Sequence, residues 1–516
     1  MYKRQIVLGV AAVLTGVALS GGEKIPKDFT VSYDGIKTAD ITAGVSVHDP
    51  SVIEADGTYY IFGSHMSGAS SEDLRNWTST GDGYTQSNPI FEDLLGTEHV
   101  FDYTGSRDSV IPTDDGTYHV WAPDVVYNRA QDLYYMYFCT SSTWNASNLC
   151  YAVSDKPEGP YTWKGALIYS GFTKDTIEAT DVLDYVDIDY AKKNYIMAGN
   201  KYNYEKYPNA IDPTVFYDAD GKMWMVYGSW SGGIFLLEID EKTGLVIHPK
   251  EDEKNGVDPY FGKRLLGGGH KSIEGPYILY DEESGYYYLF VSYGSLKSDY
   301  NIRVGRSRSI CGPFIDFHGK DLIADEDGDN STGLLAMCGY QWNEGQAYMG
   351  PGHNSVLHDV NGRWYLVCHI RRKNFTQQEE PSEMQIREIF WSEDGWPFVA
   401  AQPLAKTDTG DGIKSVTKEQ ICGFYERITL APALPQGITC SVPMKLAPDG
   451  YYENCSVQGK WEYTADHRGM ITYGPYTEEV RVYCGWDAQR KCETILLCGL
   501  RSDGVAFWAK RIGNLV

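Results

Sequence analysis

Several things are scarce in this 516-residue chain. Its 11 Cys are too few and too irregularly spaced for a disulfide scaffold, and no Cys-x-x-Cys pair suggests structural zinc. Five of them precede residue 400, as expected for buried or free thiols, while the six between Cys422 and Cys498 leave room for a disulfide or two. No apolar stretch reaches eighteen residues, so a transmembrane helix is not expected. Positive charge is also short: 45 Lys+Arg against 70 Asp+Glu give a net charge of −25. Such an excess of acid repels phosphate backbones and anionic lipid surfaces, which argues against nucleic-acid and membrane partners and for a neutral or cationic ligand.

What is abundant is aromatic. The 40 Tyr and 13 Trp favour strands over helices and supply the ring faces that sugar-binding surfaces use. At the amino end Lys3 and Arg4 precede an apolar run from Ile6 to Leu19 and the small residues around Ser20, the pattern of a secretory signal peptide over residues 1–20. No Cys lies near Gly22 to accept a lipid. Met1 to Gln5 can be back-translated into the end of a transposon sequencing adapter, so the native start is expected to be missing.

The informative feature is an internal repeat in which a carboxylate or amide opens a strand, a polar turn follows, and an aromatic strand returns. Its copies are DPSVIEADGTYYIFGS from Asp49, PDVVYNRAQDLYYMYFC from Pro123, DPTVFYDADGKMWMVYGS from Asp212, EGPYILYDEESGYYYLFVSYG from Glu274 and HNSVLHDVNGRWYLVCH from His353. Each reads as a hairpin, four of them around Asp-Gly, Asn-Gly or Ser-Gly turn chemistry. Five such repeats predict an all-β, five-bladed β-propeller over about residues 35–405. Aligning Asp49, Asp124, Asp212, Glu274 and Asn354 places those residues in one ring at the axis, with His48 and His353 beside it. So many clustered carboxylates raise each other's pKa, and a purely structural reason for that is hard to find. After Pro403 the repeat stops, KTDTGDGIKSVTKEQ reads as a linker or domain edge, and from about Ile421 short strands predict a smaller β-sandwich or β-barrel over 421–516.

The carboxylate ring suits glycoside hydrolysis, which needs one acid and one carboxylate across the sugar. The segments VHDPSV (47–52), WAPDV (121–125), NAIDPTV (209–215), GSWSGGIF (228–235), IEGPYI (273–278) and GPGHNSV (350–356) together resemble glycoside hydrolase family 43, most of all its endo-acting α-1,5-L-arabinanases with a C-terminal β-domain. The resemblance implies that Asp49 is the general base, Glu274 the general acid, and Asp212 the residue that tunes and orients that acid. It implies inversion, with about 6.5–9.5 Å between base and acid carboxyls to admit a water. It further implies calcium in the central channel, held by His353. Trp121, Asp124, Ser229 and Trp230 are expected to contact substrate, a plant cell-wall arabinan; the alternatives are ordinary blade packing for the two Trp and a structural role for Asp124, hydrogen-bonded to backbone near the site. Glycine in GSWSGGIF is expected to let a polymer approach the backbone. A secreted monomer is expected. An exo-acting α-L-arabinofuranosidase or β-xylosidase of the same fold would share the carboxylates and differ in its loops. A non-catalytic carbohydrate-binding propeller would be betrayed by loss of a carboxylate, and all three are present.

Overall fold

The computed structural model describes residues 45–515 apart from 86, 93–98, 114–117, 144, 325–331, 344, 374–381, 406–415, 433–436 and 456. The expected signal peptide and most of the expected linker lie outside the described residues.

Five antiparallel sheets, each built around four successive strands, form the five-bladed propeller. The inner strands are Ser51–Ala55, Val120–Asn128, Thr214–Tyr217, Ile273–Asp281 and Tyr348–His358. Each contacts the next, and the last contacts the first, so the ring closes. The inner hairpins form where the repeat puts its turn residues. In the first blade Asp56 and Gly57 have φ of 50° and 78°, the left-handed pair that a two-residue hairpin requires.

A blade has no solvent face, because each sheet packs on both neighbours. The second blade's strand Leu133–Thr143 accordingly carries seven consecutive buried residues instead of an alternating pattern. The cores therefore lie between blades. Val52 and Ile61 of the first blade meet Leu357 and Val367 of the fifth, Phe62 meets Val125 and Phe138 of the second, and Tyr137 meets Val215 and Phe235 of the third.

The choice between sandwich and barrel is decided for the barrel: eight strands from Gly423–Leu430 to Ala506–Gly513 close on themselves. The barrel is packed firmly on the fifth blade. Ile428, Leu496 and Trp508 share a core with Phe398 and Trp342, the Trp508 indole donates to Val399 O at 3.0 Å, and Thr439–Cys440 pairs in parallel with Tyr340–Gln341. No cysteine among the described residues is disulfide-bonded, so the pairing left open between Cys422 and Cys498 does not occur.

Candidate active site

The start of each inner strand is built alike, and the shared backbone corrects the alignment drawn from sequence. Asp49, Ala122, Asp212, Gly275 and His353 all have positive φ, of 52°, 43°, 57°, 57° and 44°. Four of them precede a proline: Pro50, Pro123, Pro213 and Pro276. The equivalent ring positions are therefore these five. Asp124 lies two residues further along its strand, Glu274 one residue earlier, and Asn354 one later. Four of the five are non-glycine residues in a left-handed conformation, at roughly 1–3 kcal/mol each, a strain that packing must hold in place and that clusters at functional sites.

The ring opens into a cavity of about 150 Å³ lined by His48, Asp49, Trp121, Ile211, Asp212, Glu274, Leu296, Tyr300, His353 and His369. No Lys or Arg lines it. Asp49, Asp212, Glu274 and His353 converge there as expected, from four different blades.

Each carboxylate is held differently. Asp49 accepts from Ser64 Oγ through Oδ2 at 2.5 Å, and Ser64 Oγ in turn accepts from Ala122 N at 2.9 Å. Its Oδ1 faces His353 Nδ1 at 3.2 Å. Burial opposes the charge on Asp49, but the neighbouring imidazoles, His353 foremost, hold it well below the ordinary carboxylate range. Asp212 is affected in the opposite sense. Burial raises it to about 7, partly offset by His353, with the charges of Glu274 and Asp49 adding to the rise; its Oδ2 accepts from Gly275 N at 3.2 Å. Glu274 is also raised by burial, against hydrogen bonds from Tyr300 and Ser229. Its Oε2 accepts from Ser229 Oγ at 3.0 Å and from the Trp230 indole at 2.9 Å. One carboxylate is thus held toward its ionised form and the other two toward their protonated forms, the division of environments that separates a base from an acid.

His353 is 14% exposed at its side chain. Burial disfavours its charge, but Asp49, Asp212, Glu274 and Asp124 outweigh that and raise its pKa. The other two histidines shift the opposite way. Burial lowers His48 to about 3 and also lowers His369. His369 Nδ1 lies 3.2 Å from the Asp49 backbone N and 3.3 Å from Asp49 Oδ1, and its Nε2 is a buried atom with no protein partner. Although His48, Asp49 and His369 lie close enough to suggest a metal cluster, the two rings stack at 4.2 Å and 10°. Their in-plane lone pairs cannot converge on one ion.

Three expectations about substrate contact change. Asp124 does not line the cavity. Its Oδ1 accepts from Ser51 Oγ at 2.6 Å and its Oδ2 from Val215 N at 2.7 Å, so it ties together the inner strands of the first three blades. Ser229 and Trp230 lie outside the cavity lining and are hydrogen-bonded to Glu274, whereas Trp121 does line it, with His119 stacked on it at 5.6 Å. The glycines of GSWSGGIF serve backbone packing. A Cβ on Gly232 would meet Tyr207 C at 2.3 Å, and one on Gly233 would meet Leu266 O at 2.1 Å. Sequence reasoning passed over Tyr300, His369 and Ser64. His369 and Ser64 close the returning strands of their repeats, a position that a comparison of inner strands alone does not test.

A propeller whose axis carries three buried carboxylates in opposed environments defines a sugar-hydrolase type of site, and comparison with known proteins agrees. The family model for glycosyl hydrolases family 43 matches residues 42–201 and 185–397, and a C-terminal lipocalin-like domain model matches 405–509. The chain is 34% identical over 490 residues to "Extracellular endo-alpha-(1->5)-L-arabinanase 2" of Bacillus subtilis, covering 90% of this chain and 93% of that one. It is 32% identical over 487 residues, with the same coverage, to "Extracellular endo-alpha-(1->5)-L-arabinanase" of Thermotoga petrophila. The crystal structure of the family 43 YxiA protein from Bacillus licheniformis superposes with a TM-score of 0.76 at 32% identity, covering 91% of this chain and 98% of that one. The chain belongs to glycosyl hydrolase family 43, and it is a glycoside hydrolase.

Proposed function

We propose that the protein is a secreted endo-acting hydrolase of α-1,5-L-arabinan that works with inversion. The observation that carries the mechanism is the contrast between Asp49, held ionised, and Glu274, held toward its protonated form, across one cavity. Asp49 takes a proton from a water, whose oxygen bonds to the anomeric carbon. The bond from that carbon to the bridging oxygen breaks as Glu274 gives the oxygen its proton, so no covalent sugar–enzyme intermediate forms. Asp212, hydrogen-bonded to Gly275 N beside Glu274, is coupled to the acid: ionisation of either one opposes ionisation of the other, so a proton is kept between them. The cavity volume exceeds the roughly 30 Å³ of one water, so water and part of a sugar ring fit together. The relatives' printed activities support arabinan as substrate and their description as extracellular supports secretion; among the described residues no helix is long and apolar enough to cross a membrane.

Calcium fits the surroundings of His353. Four carboxylates raise that histidine's pKa, which marks the spot as favourable for a cation, and Asn354 Oδ1 and Ser355 Oγ on the same strand are buried oxygens without a protein partner. His353 would hold the ion, with oxygen donors and water completing its shell, and the ion would supply positive charge among the carboxylates. Chelation should lower the melting temperature and calcium should restore it. An unchanged melting curve after exhaustive chelation, with no metal by elemental analysis, removes calcium from the proposal.

The test of the whole reading is digestion of linear arabinan. Viscosity should drop well before reducing ends accumulate, and proton NMR should show the inverted anomer first. Arabinose as the sole early product would favour the exo-acting reading, and a retained anomer would refute Asp49 as base.

A further inference from the structure

We infer that Trp230, assisted by Ser229, decides which oxygen of Glu274 carries the catalytic proton. The inference rests on the reading of Glu274 as general acid and adds a positioning residue to it. Both donors converge on one atom: the Trp230 indole Nε1 lies 2.9 Å and Ser229 Oγ 3.0 Å from Glu274 Oε2. An indole N–H donates and never accepts, so Oε2 must offer it a lone pair. A carboxyl oxygen that bears the proton is the poorer acceptor, and two donors on Oε2 therefore place the proton on Oε1. The carboxyl's other partner, the Tyr300 hydroxyl, can donate or accept and so does not by itself fix the proton on either oxygen; without the Oε2 donors the proton would divide between two oxygens, of which only one is presented to the glycosidic oxygen at a time.

Trp230 is built for that purpose. Its backbone N–H donates to Ile273 O at 2.8 Å, the residue immediately before Glu274, so the main chain and side chain of one residue grip the acid at two points. Its φ of 52° is a left-handed conformation that a bulky side chain avoids unless surroundings impose it. It does not line the cavity, whereas Trp121 and Tyr300 do.

The experiment compares the wild-type enzyme with Trp230→Phe, Ser229→Ala and Glu274→Gln on two substrates. One is linear arabinan, whose departing hydroxyl oxygen must be protonated. The other is a 2,4-dinitrophenyl arabinobioside, whose leaving group departs without a proton. Trp230→Phe keeps an aromatic ring and removes the donor. It should lower kcat on arabinan about tenfold with KM nearly unchanged, and change turnover of the dinitrophenyl substrate by less than about threefold. Ser229→Ala should show a weaker form of the same pattern and tests the inference even if Trp230→Phe folds poorly. A raised KM at constant kcat would make Trp230 a substrate platform, and equal losses on both substrates would make it merely structural; either overturns the inference. Slow Glu274→Gln beside fully active Trp230→Phe and Ser229→Ala overturns it alone. Wild-type turnover of arabinan by Glu274→Gln overturns the acid assignment as well.

Discussion

The barrel and the propeller axis each bury carboxylates, and they treat them in opposite ways. In the barrel, Glu478 is 0% exposed, yet both of its oxygens meet Arg427, at 2.6 and 2.8 Å, and Tyr473 adds a third bond. Asp487 is likewise paired with Lys510 at 3.1 Å and Arg490 at 2.6 Å. At the propeller axis, Asp49, Asp212 and Glu274 have no Lys or Arg partner among the described residues; their neighbours are histidines, hydroxyls, an indole and one another. A buried charge with its counter-charge in place is finished chemistry that holds a fold together. Carboxylates left to share protons are poised to exchange them with a substrate.

The largest effect expected from this contrast is catalytic. Glu274→Gln or Asp49→Asn should slow arabinan hydrolysis by about 10²-fold or more, whereas Glu478→Gln should leave the rate of the folded enzyme unchanged. Rates and melting curves on the same preparations check both halves. Next in size is the stability cost in the barrel. Glu478→Gln strands Arg427 at 1% exposure and should destabilise by ~3–5 kcal/mol in denaturant unfolding.

The same carboxylate-to-amide change at the axis should have the opposite sign. Asp212 has its pKa raised to about 7, so folding is favoured by its proton. Its contribution is fully present below its unfolded value and is lost as pH rises through about 7. Asp212→Asn, which cannot ionise, should therefore stabilise the protein above that pH, by at most ~4 kcal/mol, while impairing catalysis. Unfolding free energies at pH 5 and pH 8 test this, since the gain should be clearly smaller at the lower pH and vanishes only below the ordinary value of 3.8. Asp49 is lowered, so its contribution is present above its unfolded value and lost only at strongly acid pH. The smallest effect concerns Asp124. Ser51→Ala removes the donor to its Oδ1 and should cost ~1–3 kcal/mol of stability with near-normal turnover, which would separate a tie between blades from a substrate contact.

Much of this was legible in sequence, but to a limited depth. The hairpin repeats announced five blades because each strand pair carries its own turn and aromatic pattern locally. The ring register was missed by one or two residues in three blades. Alignment on carboxylates follows side-chain chemistry, whereas the shared feature is a backbone bend, marked in four repeats by the following proline. That signal at Pro50, Pro123, Pro213 and Pro276 was available. The structural role of Asp124, hydrogen-bonded to backbone, was one of the readings that its WAPD motif offered; the role of Trp230 was not available, because a tryptophan beside a site motif reads the same whether its ring faces sugar or its N–H faces a carboxylate. The closure of the C-terminal strands into a barrel depends on Gly423–Leu430 pairing with Ala506–Gly513, a contact between the ends of the domain that no local pattern encodes.

By itself, then, the amino-acid sequence determined the strand-forming repeats, the class of fold and the three carboxylates with the motifs around them, because hairpins and motif contexts are properties of neighbours along the chain. Only the tertiary structure decided which of those carboxylates is ionised and which holds a proton, which of the surrounding side chains face the cavity, and which are spent on holding the acid. Those properties are set by burial and by charges and donors brought from blades 60 to 300 residues apart in sequence, and an electrostatic environment assembled across a closed ring does not exist until the ring has closed.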